Sequence, residues 1–169
     1  MAGGTSFLGS KTMPDADLER FHDGYRRDYD QALSEINHGR KRSHWMWFIF
    51  PQVTGLGSSP TATHYAIRDR AEVEAFLRDP ILGPGYRTLV DAVWQQVIGG
   101  GISVRTLFGR PDDQKLVSSL TLFAGIASNL GDAWAPTVAK ADEVLDRAES
   151  QGLPRCPTTQ RFLSADARS

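Results

Sequence analysis

A chain of 169 residues, 40% apolar and 23% charged, fits one domain with a real hydrophobic core and has the composition of a soluble globular protein. Its net charge of −1 argues against a protein whose main task is to coat nucleic acid or an anionic membrane, while leaving room for a local basic patch. The longest apolar run, over 45–50, is far too short to span a bilayer. The single cysteine, Cys156, excludes an internal disulfide or a cysteine-rich zinc site and suits a reducing, cytoplasmic setting.

The opening stretch MAGGTSFLGSKTMP lacks a charged region followed by a long apolar core, so it reads as a flexible tail over 1–14 rather than a signal peptide. A helix is predicted over about 15–38, where Leu18, Phe21, Tyr25, Tyr29, Leu33 and Ile36 recur at three- and four-residue spacing. Asp15 or Asp17 can cap its start, and Gly39 supplies the left-handed residue at its end. The six large apolar residues of SHWMWFIFP fit a short strand or a buried helical turn; with no partner strand in view, the turn is preferred. Ser59 before Pro60, and Asp69 three residues before Glu72, open two short helices near 60–68 and 70–78. Asp79 and Pro80 open a longer helix through Leu82, Tyr86, Leu89, Val93 and Val97, which three glycines at 99–101 end.

Ser103 caps a single turn that ends at Phe108 and Gly109. Pro111, Asp112 and Asp113 then start a helix with two carboxylates at its positive end and an inner stripe of Leu116, Leu120, Phe123, Ala127 and Leu130. Lys115, Ser118 and Ser119 read as its polar stripe. Pro136 begins the last long helix, with Val138, Ala141 and Leu145 inward, until Gly152. One extra turn is predicted around 159–163, and the chain is expected to fray over 164–169. The result is a single all-α domain over 15–163, with seven or eight helices and no substantial sheet.

Chemistry concentrates in GRKRSHWMWFIFPQVTGLGSSP, residues 39–60. Arg40, Lys41 and Arg42 offer donors for phosphate or carboxylate. Trp45 and Trp47 offer flat faces for a base ring, although aromatics in an apolar run also serve as core. Ser58, Ser59 and Thr61 stand at a helix N-terminus, where amides and hydroxyls suit an anion. His44 lies between the cations and the aromatics; neighbouring cations would favour its neutral form, so it is the candidate acid–base residue. Lys115 is a candidate second wall for the anion. His22 and His38 read as surface residues of the first helix. No metal site is indicated, because HExxH and paired carboxylate–histidine spacings are missing, and no motif calls for a cofactor. A P-loop and a GxSxG elbow are also lacking.

These residues carry a family resemblance. GRKRSHWMWFIFPQVTGLGSSP, YAI at 65–67, FLRDPILGP at 76–84 and LFGRPDDQKLVSSLTLF at 107–123 resemble a bacterial family catalogued as domain of unknown function 1810. The resemblance runs from Leu18 to Leu163 and implies a single all-α domain; it brings no established activity. Some members carry a calpastatin-like label, which implies a calpain inhibitor. An inhibitory segment of that kind is extended and polar, whereas this chain is patterned for a compact core. The glycine-rich loop at 99–101 and the N-terminal tail depart from the family pattern, and His64 and Cys156 fall where its motif does not ask for them.

The leading expectation is a pocket for a phosphate-bearing flat ligand such as a nucleotide or nucleotide derivative, with hydrolysis or transfer at a phosphate or glycosidic bond as the reaction class if it is an enzyme. The alternative is a protein-interaction module that uses the aromatic and basic segment 40–50 as its interface. A nucleic-acid partner fits the near-neutral charge least well, and a membrane partner is not expected.

Overall fold

The computed structural model describes residues 18–167; the tail expected over 1–14 and the caps at Asp15 and Asp17 lie outside them. Among the described residues there are nine α-helices rather than seven or eight: α1 (Glu19–Asn37), α2 (Met46–Ile49), α3 (Pro60–Tyr65), α4 (Arg70–Arg78), α5 (Leu82–Trp94), α6 (Val104–Phe108), α7 (Asp112–Ala127), α8 (Ala135–Ser150) and α9 (Pro157–Asp166). A π-helical turn, Gln95–Gly99, extends α5, and a 3-10 turn, Asp132–Trp134, precedes α8. The only β pairing among these residues is one parallel bridge between Val53 and Ile67. None of the helices is long and apolar enough to cross a membrane.

Local chemistry explains most of the boundaries. Ser59, Asp69 and Ser103 each accept a hydrogen bond from the amide three residues on, so all three helix starts follow the sequence reading. Asp79 accepts from the amides of Ile81 and Leu82 and from His22 Nε2 at 2.8 Å, which ties α1 to the start of α5. His22 is therefore half-buried rather than a plain surface residue. Glu72 does not close a reciprocal box with Asp69. Its carboxylate is buried, accepts from the Arg68 amide and pairs with Arg20 of α1.

The long helix α7 is the hub. Twelve of its sixteen residues are buried, because α2, α4, α6, α8 and α9 all pack on it. That burial overturns the polar stripe expected at Ser118 and Ser119. Both are buried; Ser119 Oγ bonds the Tyr86 hydroxyl at 2.9 Å and Ser118 Oγ bonds Thr159 Oγ1 at 3.1 Å. Phe123 stacks on Tyr86 with ring centroids 4.4 Å apart and meets Phe76 edge-on at 5.1 Å. The C-terminal segment forms ten residues of helix where one turn is predicted, and the helix continues through 164–166. Its extra length is held by non-local contacts, namely Thr159 on Ser118, Leu163 against Gly125, and Asp166 on Arg70 at 3.0 Å.

Two glycines place the segment of interest. Gly39, with φ at +81°, ends α1 and turns the chain back. Gly24 lets α2 approach α1: a Cβ there would lie 2.3 Å from Phe48 Cδ2. The chain after α1 is thereby folded against that helix.

Candidate functional site

The segment 39–50 wraps one of the protein's own carboxylates. Glu35, buried near the end of α1, accepts through Oε1 from the Arg42 amide at 2.6 Å, the Ser43 amide at 2.8 Å and Trp45 Nε1 at 3.1 Å. Through Oε2 it accepts from Ser43 Oγ at 2.6 Å and Gln31 Nε2 at 2.7 Å. Burial by itself would raise this carboxyl group; the bonds from Ser43, Arg42 and Gln31 outweigh it and bring the pKa down to about 2. Five donors around one carboxylate fix the loop that carries His44. Sequence reading missed Glu35, because a glutamate four residues after Gln31 on a helix looks like an ordinary solvated side chain.

Two of the expected ligand residues are turned inward, Trp45 onto Glu35 and Lys41 onto Asp112. Trp45 is fully buried, so its ring fills the core, edge-on to Phe108 and tilted to Phe50, and offers no face to a ligand. Lys41 turns inward, with 7% of its side chain exposed; it pairs with Asp112 at 2.7 Å and hydrogen-bonds the Ser43 carbonyl. Its ammonium also lies 4.8 Å from the Trp45 ring centroid. Lys115 pairs with Asp112 at 3.4 Å and stands 4.7 Å from the Trp47 ring centroid. Asp112 therefore holds both lysines that sequence reading assigns to phosphate.

The remaining residues divide by position. Arg40 and Arg42 are exposed and do not line the cleft beside His44. Ser58 and Ser59 are exposed as well and do not line the cleft, and two of the amides at the α3 terminus are engaged internally. Ser59 Oγ takes the Ala62 amide and the Ser59 carbonyl takes the Thr63 amide, while Pro60 has no amide to offer.

His44, Trp47 and Thr61 do come together. They line an open cleft of about 410 Å³ with Arg27, Phe48, Pro60, His64 and Tyr65. α1 supplies Arg27, α3 supplies Thr61 and His64, and the Glu35-tethered loop with α2 supplies His44 and Trp47. Arg27 stacks over Phe48 at 4.9 Å. Hydrogen bonding to Asp28 first, and to Tyr65 second, raises its already high pKa, so it is a fixed cation on the cleft wall. Tyr65 packs against Phe48 at 5.2 Å, and His64 meets Tyr65 edge-on at 4.6 Å. Behind this wall, bonds from Thr54 N to the Ile67 carbonyl and from Ile67 N to the Gln52 carbonyl pin the 52–57 loop. A small recess of about 40 Å³ there shares Trp47 and Tyr65 with the cleft.

Sequence reading set His64 aside, quoted Tyr65 only within the YAI motif and did not raise Arg27. A signal for His64 was available: it falls three residues after Thr61 and four after Pro60, on one face of α3. Arg27 lies one turn beyond Gly24, the residue that admits Phe48. No Asp or Glu occurs anywhere from 36 to 68, so the loop and α3 face the cleft without a carboxylate. Cys156 is half-buried beside α9, far along the chain from these residues.

The chain as a whole is similar to a solved structure. The conserved hypothetical protein Rv1873 from Mycobacterium tuberculosis, known from a crystal structure at 1.38 Å, is 41% identical to this chain. The match covers 78% of this chain and 89% of that one, with a TM-score of 0.68. No curated protein matches the chain. The family described as "Protein of unknown function (DUF1810)" matches residues 15–141. With three-quarters of its length inside that match, the chain belongs to the DUF1810 family.

Proposed function

We propose that the cleft between α1, α2 and α3 binds a small phosphate-bearing ligand with a flat ring, of the nucleotide class. The observation that carries this reading is the meeting of Arg27, His44 and His64 with Trp47 and Tyr65 around one opening. A guanidinium and two imidazoles suit a phosphate, and the exposed parts of two aromatic rings suit a base. The opening, about 410 Å³, is shallow and largely open to solvent, so recognition rests on these side chains rather than on enclosure. Arg40, Lys41, Trp45 and Lys115 play no direct part, for the structural reasons given above. If the bound ligand carries a scissile phosphate or glycosidic bond, His44 is the acid–base group and His64 its counterpart across the cleft. A cytoplasmic setting belongs to the same reading and is supported by the free thiol of Cys156.

The test is a thermal-shift screen of the full chain against nucleotides, sugar phosphates and dinucleotides. A true ligand at about a hundred times its dissociation constant adds roughly 2.7 kcal/mol of apparent stability. A panel that shifts nothing would remove the reading.

A further inference from the structure

Cations that do not line the cleft stand on the two stretches that meet at Lys41 and Leu107. Lys41 points inward, so its neighbours Arg40 and Arg42 are directed to solvent; both are exposed. Two bonds press this loop against the chain around α6. The Lys41 amide donates to the Leu107 carbonyl at 2.7 Å, and the Lys41 ammonium pairs with Asp112. A third contact, from Gln96 Nε2 to the Asn37 carbonyl at 2.9 Å, joins the same two stretches at their other end. Arg105, with 52% of its side chain exposed, and the exposed Arg110 flank the contact point.

The two stretches brought together, 36–68 and 92–111, contain no acidic residue. Around the Lys41–Leu107 contact, Glu35 is engaged by its five donors, Asp112 by two lysines and the fully buried Asp113 by Arg105; at the α5 end, Asp91 pairs with Lys140 and Glu143 accepts from Trp94 Nε1. In a chain with a net charge of −1, Arg40, Arg42 and Arg110 thus stand exposed around the Lys41–Leu107 contact, with no carboxylate paired to them among the described residues, while Arg105 is held by Asp113. We infer that this face is a docking surface for an acidic segment of another protein. The guanidinium fork matches a carboxylate in two-point geometry. Nucleic acid fits the face less well: its aromatics, Trp45 and Phe108, are buried and give bases no platform. The near-neutral chain also lacks the broad positive field that duplex binding draws on.

Fluorescence anisotropy tests the inference with the full chain and a fluorescein-labelled peptide of alternating aspartate and serine. The expected result is saturable binding that weakens with salt and falls about tenfold or more in Arg40→Glu/Arg42→Glu and in Arg110→Glu. Those variants should keep the wild-type melting temperature, and a His44→Ala/His64→Ala variant should bind the peptide normally. The inference is overturned by no saturable binding in the wild type or by undiminished binding in both charge-reversed variants. It is equally overturned if a single-stranded RNA of matched charge binds about tenfold more tightly than the peptide.

Discussion

The indole nitrogen of Trp45 donates to Glu35 Oε1 at 3.1 Å inside the core. This bond joins the last turns of α1 to the start of α2 across the Gly39 turn. It explains why an aromatic run and a cationic run can sit side by side. The ring is buried for its apolar area, its one polar atom meets a carboxylate, and the same carboxylate gathers the loop amides between them. His44 rides on that loop, between two residues that Glu35 holds.

Replacing Glu35 with glutamine should therefore destabilise the protein by about 2–4 kcal/mol, since an amide cannot accept from every one of these donors and leaves buried ones unpaired. Urea unfolding of the variant measures this. A loss below about 0.5 kcal/mol would mean that the loop does not depend on the carboxylate.

Acid should act through the same group. The folded pKa of Glu35, about 2, lies below its ordinary 4.5. Its contribution is thus fully present above about pH 4.5 and is lost as pH falls toward 2. The shift corresponds to about 3 kcal/mol. The stability gap between wild type and Glu35→Gln should narrow over that window and stay constant from pH 5 to 7.

Phe123→Ala should cost about 3–5 kcal/mol, because the ring is 1% exposed and lies between Tyr86 and Phe76. Equilibrium unfolding reads this directly. A cost under about 1 kcal/mol would contradict its place at the centre of the core.

Ser119→Ala should cost about 1–3 kcal/mol, because it strands the buried Tyr86 hydroxyl. Adding Tyr86→Phe should recover much of that loss, since both halves of the pair are then apolar. A double-mutant cycle with no coupling would refute the bond's role.

The fold was legible wherever its causes were local. Ser59, Asp69 and Ser103 announce helices because each cap acts on an amide three residues away. Helix α9 exceeded its expected single turn because Ser118, Gly125 and Arg70, far back in the chain, hold it. In the site, the sequence led to His44, Trp47 and Thr61, which do share a cleft. It could not show that Trp45 and Lys41 turn inward, because their partners Glu35 and Asp112 lie across turns that local spacing does not encode. Arg27 stayed hidden for the same reason: on α1 alone it is one charged surface residue among several, and only the approach of Phe48 and Tyr65 gives it a place.

The cleft itself is the central claim, and isothermal titration tests it most directly. A nucleotide identified by thermal shift is titrated into wild type and into a His44→Ala/His64→Ala variant. Both side chains line the opening and neither is buried, so the fold should survive their loss. The account predicts saturable wild-type binding that weakens at least about tenfold in the variant, roughly 1.4 kcal/mol. Equal affinity in the two proteins would contradict it.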